Sequence, residues 1–370
     1  MTKVPKSTRA LVVKKSPESR KPQYHDLILE EQPLPSLRHG EILVKMGAVA
    51  FNHREVWIRQ GQYPGIKFGS ILGADGAGTV IAAADKNDSL LQKRVLLAPM
   101  RGWETSPDAP EAGPGFEILG GGKRNGTFAD YVVVERDQVL LSPEHLDDVQ
   151  ASAWPLGGLT AWRAAIVNAG ASAGENILIT GIGGGVALLA LQLCIAKGAN
   201  VYVTSGSDEK IHRAIALGAK GGANYRSKNW PAKLADVLAQ NATSTTSNQL
   251  DAVVDSGGGD IMAQVGKILK AGGKVVCYGM TAGPQVKFTM REVLKNQRLI
   301  GSTMGSFQDL VDATAFISEN RIVPVVSHVL DGFESAEEGF ELMKRGDQFG
   351  KIVIDLEAGS RAKEVVKANL

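Results

Sequence analysis

The sequence predicts a two-part α/β chain, in which a β-dominated portion drawn from both ends of the chain flanks an inserted, doubly wound parallel α/β portion. Three observations carry this. Residues 176–193, NILITGIGGGVALLALQL, read as a short apolar strand, a glycine cluster and an apolar helix. Past Trp154 apolar strands alternate with helical patterns, the form of βαβ units with a sheet covered on both faces. Before Leu141 and again after Asn320 the apolar runs are short, β-rich and broken by Pro, Gly and Asp.

In chain order, the first strands are ALVV, EILVKMGAVA, AGTVIAA, KRVLLAP and ADYVVV, between Arg9 and about Leu141. Among them Gly102–Gly126 is rich in Gly, Pro and acidic residues without periodicity, and reads as a long irregular loop. The α/β portion then runs NILIT, VALLALQLCIAKG, NVYVTS, EKIHRAIALGA, DAVVDS, the helical pattern IMAQVGKILKAGG, KVVCYGM and RLIGSTMG. Residues 241–248, polar and rich in Ser and Thr, form an exposed loop before DAVVD. PVVSHVL and GKIVIDL, flanking a helix pattern at Ser335 to Lys344, rejoin the first portion. The boundaries expected are 1–155 with 321–370 for the β-dominated domain and 156–320 for the inserted one.

Composition narrows the function. A net charge of +2, with Lys and Arg scattered, gives no reason to expect nucleic acid or a membrane surface, and no apolar run is long enough to span a bilayer. Two cysteines cannot build a disulfide framework; Cys194 and Cys277 lie in apolar patterns as core thiols, so a reducing, cytoplasmic setting is expected. No secretory leader is recognised, and a small-molecule partner is favoured.

The glycine cluster is the most specific local signal. Gly181, Gly184 and Gly185 allow a tight strand-to-helix turn and close approach of backbone to a pyrophosphate, whose charge meets the amides at Val186 and the positive helix end. Ala187 is the small residue where helix meets strand.

Together the ordered motifs VAFNHREVWIRQGQYPG, ILGADGAGTV, NGTFADYV, PLGGLTAWRA, TGIGGGVA, DAVVDSGGG, GKVVCYGMTAG, RLIGSTMGS and GKIVI span nearly the whole chain. In them the chain resembles the medium-chain dehydrogenase/reductase superfamily, on the zinc-independent side with quinone oxidoreductases and enoyl reductases. The resemblance implies a GroES-like β-barrel catalytic domain, an inserted Rossmann-fold NAD(P)-binding domain, an active site in the cleft between them, and a homodimer joined at the sheet edge near RLIGSTMG. Zinc-dependent relatives place a cysteine ligand where Asn52 stands and a histidine where Ala74 stands. Catalytic zinc needs three N, S or O ligands, and His53, Glu55 and Asp75 nearby do not supply that set at matching spacing, so no zinc is expected. The loop Gly102–Gly126 likewise lacks the four cysteines of a structural zinc lobe.

The strand NVYVTS ends in Ser205, where an NAD-preferring domain usually carries an acid. Ser205 and Ser207 can donate to the extra phosphate of NADPH and Lys210 can supply charge, so NADPH is expected over NADH. Asp208 and Glu209 compete with this reading unless they serve the next helix's first turn. The resemblance adds cofactor contacts at Asn52, Thr160, Tyr225, Gly279, Met280, Met304, Gly305 and Lys351.

Without a metal to polarise a carbonyl, hydride transfer favours acceptors that delocalise the added electrons onto oxygen, namely quinones and α,β-unsaturated carbonyls. Asn52 positions the nicotinamide ribose or the acceptor, or else only caps a turn. Tyr63 is a pocket hydroxyl able to donate a hydrogen bond or proton, or else covers the end of the barrel. An alcohol or aldehyde dehydrogenase and a non-catalytic NADPH-binding protein are the alternatives.

Overall fold

The computed structural model describes residues 4–243 and 247–358; residues 244–246 of the exposed loop expected at 241–248 lie outside the described residues. Two compact units result, one from residues up to Leu156 together with those from Ser306 onward, the other from Gly157–Gly305. The helix Phe307–Glu319, on the α/β side of the boundary read at 320, groups with the first unit. There the Trp154 indole N–H donates to Thr314 Oγ1 at 2.9 Å, and the Phe307 amide donates to Trp103 O at 2.8 Å.

In the first unit one sheet runs in the order Val326–Asp331, Lys351–Asp355, Glu41–Ala50, Asp75–Ala83, Arg94–Leu97, Val139–Leu141, and Tyr131–Glu135 also pairs with Glu41–Ala50. Being central, Glu41–Ala50 is apolar on both faces, and of its residues only Lys45 is exposed. Ser7–Lys14 and Asp26–Pro33 form a separate antiparallel pair. The core gathers around Phe51, whose ring meets those of Phe128 and Phe340 edge-on at 5.3 Å and 5.1 Å. Such pairs add about 0.5–1.5 kcal/mol beyond area burial.

The loop Gly102–Gly126 is irregular, with a two-residue ladder between Met100–Arg101 and Glu117–Ile118 and one 3-10 turn at Gly113–Gly115. Its organiser is Glu111, whose carboxylate accepts from the backbone N–H groups of Glu104, Thr105 and Ser106 at 2.8, 2.7 and 2.5 Å. Those amides favour the ionised form and hold the carboxyl at about 2. Trp103 is buried beside it, donating its indole N–H to Ser106 O at 2.8 Å.

The second unit carries six parallel strands in the order Gly221–Asn224, Asn200–Ser205, Asn176–Ile179, Leu250–Asp255, Leu269–Cys277, Arg298–Gly301. Sequence order reverses beside Asn176–Ile179, the Rossmann arrangement, whose ligand crevice lies at the carboxyl ends of the strands flanking that reversal. The helix Gly185–Ala196 follows the first strand and buries Ala187 through Leu191, Leu193 and Cys194, which is why its sequence lacks a polar face. Burial pushes the Cys194 and Cys277 thiols up to about 12, so both stay protonated.

One element departs from the sequence reading. IMAQVGKILKAGG is helical only over Ile261–Val265, and the strand begins already at Leu269. Gly266 caps the short helix, and Gly272, at φ 73°, sits where the register against Leu250–Asp255 shifts. No helix among the described residues is long and apolar enough to cross a membrane.

Candidate active site

In the first unit, strand register assembles a buried polar cluster from three distant parts of the chain. Ala50 lies opposite Asp75 on one side and opposite Val353 on the other, and the Phe51 amide donates to Ile352 O at 3.0 Å. Continued by two residues, that antiparallel register sets Asn52 across from Lys351. Lys351 Nζ donates to Asn52 Oδ1 at 2.7 Å and to Asp75 Oδ2 at 2.8 Å, and Asn52 Nδ2 donates to Asp75 Oδ2 at 2.9 Å. Asp75 Oδ1 accepts the Leu156 amide at 2.6 Å. Asp75 is wholly buried, Lys351 4% exposed and Asn52 8% exposed. Removing one partner of such a pair costs about 3–5 kcal/mol, because a buried charge is left uncompensated.

Asn52 also stands as N-cap of the helix His53–Arg59, in extended conformation. With its side chain engaged by Lys351 and Asp75, the buried amide at the helix start is satisfied from the other direction: Glu55 Oε2 accepts the Asn52 N–H at 2.6 Å. Glu55 is fully buried, and desolvation raises its pKa above the ordinary carboxylate value against the pull of Arg54. Arg54 Nη1 donates to Glu55 Oε1 and to Leu119 O, both at 2.8 Å, and Nη2 donates to Gly120 O at 2.7 Å. Its guanidinium lies 4.9 Å from the centre of the half-buried Tyr63 ring. His53 is exposed, its ring edge-on to Trp57 at 5.0 Å.

This donor set does not fit a zinc ion. Asn52 and Ala74 offer no thiolate or imidazole, the Asp75 oxygens are taken, and a cation would enter beside an ammonium already bonded to the same carboxylate. Among the described residues no three His, Cys, Asp or Glu side chains gather as a metal would require.

In the second unit the glycine turn takes the backbone its sequence demands. Gly181 and Gly183 have φ of 66° and 124°, conformations costly for any residue with a Cβ, and Gly184 is the N-cap of the helix Gly185–Ala196. The first-turn amides at Gly185 and Val186 are therefore available to an anion. The Lys210 side chain lies over the turn, so close that a Cβ on Gly183 would stand 2.8 Å from Lys210 Cδ. Below the turn Asp255, buried and accepting from Thr180 Oγ1 at 2.6 Å and from the Gly258 amide at 2.7 Å, ties neighbouring strand ends together.

Ser205 ends its strand 4% exposed, donating Oγ to Ile182 O at 3.2 Å, and Ser207 caps the helix Asp208–Ala216 by accepting the Lys210 amide. Asp208, one of the two acids that compete with the NADPH reading, accepts Asn224 Nδ2 at 3.1 Å. Tyr225 is 50% exposed. Arg226, which the sequence reading passed over, stands with it: a Cβ on Gly206 would lie 2.8 Å from Tyr225 Oη and 2.9 Å from Arg226 Nε. The signal was available in NYR, where a cation directly follows the aromatic residue. Ser205, Ser207, Lys210, Tyr225 and Arg226 thus flank the segment after the second strand. Thr160 Oγ1 donates to Met304 Sδ at 3.8 Å, Gly305 is buried beside Met304, Gly279 is packed near Ser256 O, and Met280 is 47% exposed. Of the residues expected at the cofactor, Asn52 and Lys351 are bonded to each other and to Asp75, all of them groups of the first unit.

Two family models match. The alcohol dehydrogenase GroES-like domain covers residues 38–144, and the zinc-binding dehydrogenase model covers residues 185–319. A zinc-type alcohol dehydrogenase-like protein of Leptosphaeria maculans is 40% identical over 346 residues, 90% of this chain and 95% of its own. The crystal structure of a putative alcohol dehydrogenase from Sinorhizobium meliloti superposes with a TM-score of 0.84 at 28% identity, covering 95% of this chain and 100% of that one. A crotonyl-CoA carboxylase/reductase solved with NADP shares the fold, with a TM-score of 0.82 at 22% identity and 96% of each chain covered.

Proposed function

The chain belongs to the medium-chain dehydrogenase/reductase superfamily of NAD(P)-dependent oxidoreductases, and on that premise we propose that it transfers a hydride from NADPH to a quinone or an α,β-unsaturated carbonyl without zinc. The observation that carries this reading is Lys351 Nζ, which bonds Asn52, at the position where a metal-dependent relative places a cysteine ligand, and Asp75, the neighbour of Ala74 at the histidine position. A site furnished with hydrogen-bond donors suits an acceptor whose conjugation already spreads charge onto oxygen.

The cofactor supplies the hydride when bound. Asn52 holds the acceptor oxygen by hydrogen bonding. Tyr63, braced by Arg54, bounds the pocket and hands a proton to the reduced product, or water does so in its place. At the nucleotide, the first-turn amides of Gly185 and Val186 receive the pyrophosphate, while Ser207, Lys210, Tyr225 and Arg226 receive the 2′-phosphate; Ser205, buried and with its one hydroxyl hydrogen given to Ile182 O, stands behind them rather than donating as its sequence position suggests.

We further propose that a homodimer forms its subunit contact at the sheet edge Arg298–Gly301, which among the described residues has no strand partner on its outer side. Next to it Met290, Val293 and Leu294 are 67%, 51% and 76% exposed, an apolar cluster that a second copy would cover. Two buried free thiols accord with a reducing, cytoplasmic setting.

The name of the Leptosphaeria maculans relative favours a second reading, oxidoreduction of a simple alcohol or carbonyl. NADPH consumption by chelator-treated protein separates the two, comparing an enone with the saturated aldehyde of the same skeleton. Loss of the carbon–carbon double bond, with the aldehyde untouched, is expected. Turnover of the aldehyde that zinc restores after chelation would give the alcohol dehydrogenase reading.

A further inference from the structure

We propose that Lys351 is a positioning residue that serves as the fixed cation of this site and sets the orientation of Asn52, whose spare Nδ2 hydrogen is thereby offered to the acceptor oxygen. The inference rests on the hydride-transfer reading above and goes further by assigning each atom of the amide.

An asparagine amide is nearly symmetric in shape, so its partners alone decide which end faces which way. Here they leave one answer. An ammonium can only donate and an ionised carboxylate can only accept. Lys351 therefore holds Oδ1, at 2.7 Å, and Asp75 holds one hydrogen of Nδ2, at 2.9 Å. The flipped amide would set donor against donor and acceptor against acceptor, losing both bonds. One Nδ2 hydrogen remains, and Asn52 keeps 8% of its surface accessible.

Lys351 donates to Asn52 and Asp75, and among the described residues its third N–H meets no acceptor. Bonding of Oδ1 to a cation polarises the amide and makes the free Nδ2 hydrogen a stronger donor. As electrons arrive on the acceptor oxygen, that donor stabilises the oxyanion, and no reorganisation is needed because the ammonium that aims it is already pinned between Asn52 and Asp75. A side chain that bound the nucleotide instead would be missed mainly in cofactor affinity. This difference makes the role measurable.

The test uses the full chain with Lys351 replaced by Ala, by Arg, and by Met together with Asp75→Asn, the last avoiding an unpaired buried carboxylate. Enone reduction, NADPH affinity and thermal melting are read for each. Loss of kcat by about 100-fold, with NADPH affinity within about threefold of the parent and partial recovery in Lys351→Arg, is expected. Ethylammonium should restore turnover of Lys351→Ala saturably and raise its melting temperature, whereas tetramethylammonium, which has no N–H, should do neither. A proportional loss of NADPH affinity, near-parental kcat in the folded double variant, or equal effects of the two cations would overturn the inference. Should the parent bind NADPH yet reduce no conjugated acceptor, the activity reading fails by itself. The assignment of Lys351 then stands or falls on the ethylammonium-specific melting shift.

Discussion

Arg54 holds its guanidinium 4.9 Å from the centre of the Tyr63 ring while its two terminal nitrogens donate to the carbonyls of Leu119 and Gly120. One planar side chain thus joins the first helical turn, the end of the irregular loop and the Tyr63 ring. A lysine there keeps the charge but cannot fork. In Arg54→Lys at least one buried carbonyl loses its donor, at about 1–3 kcal/mol. The melting temperature should fall and protease should cut faster near Gly120; a variant melting like the parent would show that the fork holds nothing.

Glu111 gives the loop a pH signature. Its folded-state carboxyl is lowered from 4.5 to about 2, so the stabilisation it contributes is complete above 4.5 and lost as pH falls toward 2. Glu111→Gln should make the Gly102–Gly126 segment proteolytically labile at neutral pH and remove the extra acid sensitivity seen between pH 4.5 and 2. Indistinguishable digestion of parent and variant at pH 3 and pH 6 would contradict this.

The cofactor choice is open to single substitutions. Arg226→Leu should raise the KM for NADPH by about tenfold or more and leave that for NADH nearly unchanged, since only the 2′-phosphate loses a charged donor. Ser205→Asp should move the ratio of specificity constants toward NADH by repulsion of that phosphate. Steady-state kinetics with both nucleotides checks each; a parallel change for NADH would relocate the phosphate pocket.

Leu294, 76% exposed near the sheet edge Arg298–Gly301, tests the proposed subunit contact. Light scattering should give a dimer mass for the parent, and Leu294→Lys should weaken association by about tenfold or more. A monomeric parent would remove the contact altogether.

How far these features could be read beforehand depended on the range of the interactions that make them. The turn at Gly181–Gly185 was legible because its constraint is local: φ of 66° and 124° can be met cheaply only by glycine, and the strand and helix adjoin it. Asn52 was legible as a motif with Asp75 near it, but its bond to Lys351 was not. Lys351 lies 299 residues away, and only the register of the central strand brings it there. Glu111 gave no signal because a carboxylate accepting from main-chain amides needs no particular neighbours in sequence. The early strand at Leu269 was hidden by residues that also fit a helical pattern up to Gly272.

The closure of the Gly102–Gly126 segment by Glu111 has a consequence for the protein in its cell. The group that shuts this lobe is installed during translation, so the lobe is finished when the chain is finished. It waits for no delivered ion and contains no sulfur to be kept reduced. Metal starvation and oxidant stress, which dismantle lobes clamped by thiolate-bound metal, have no purchase here. The proton is the agent that can unfasten it, at acidities far from neutrality.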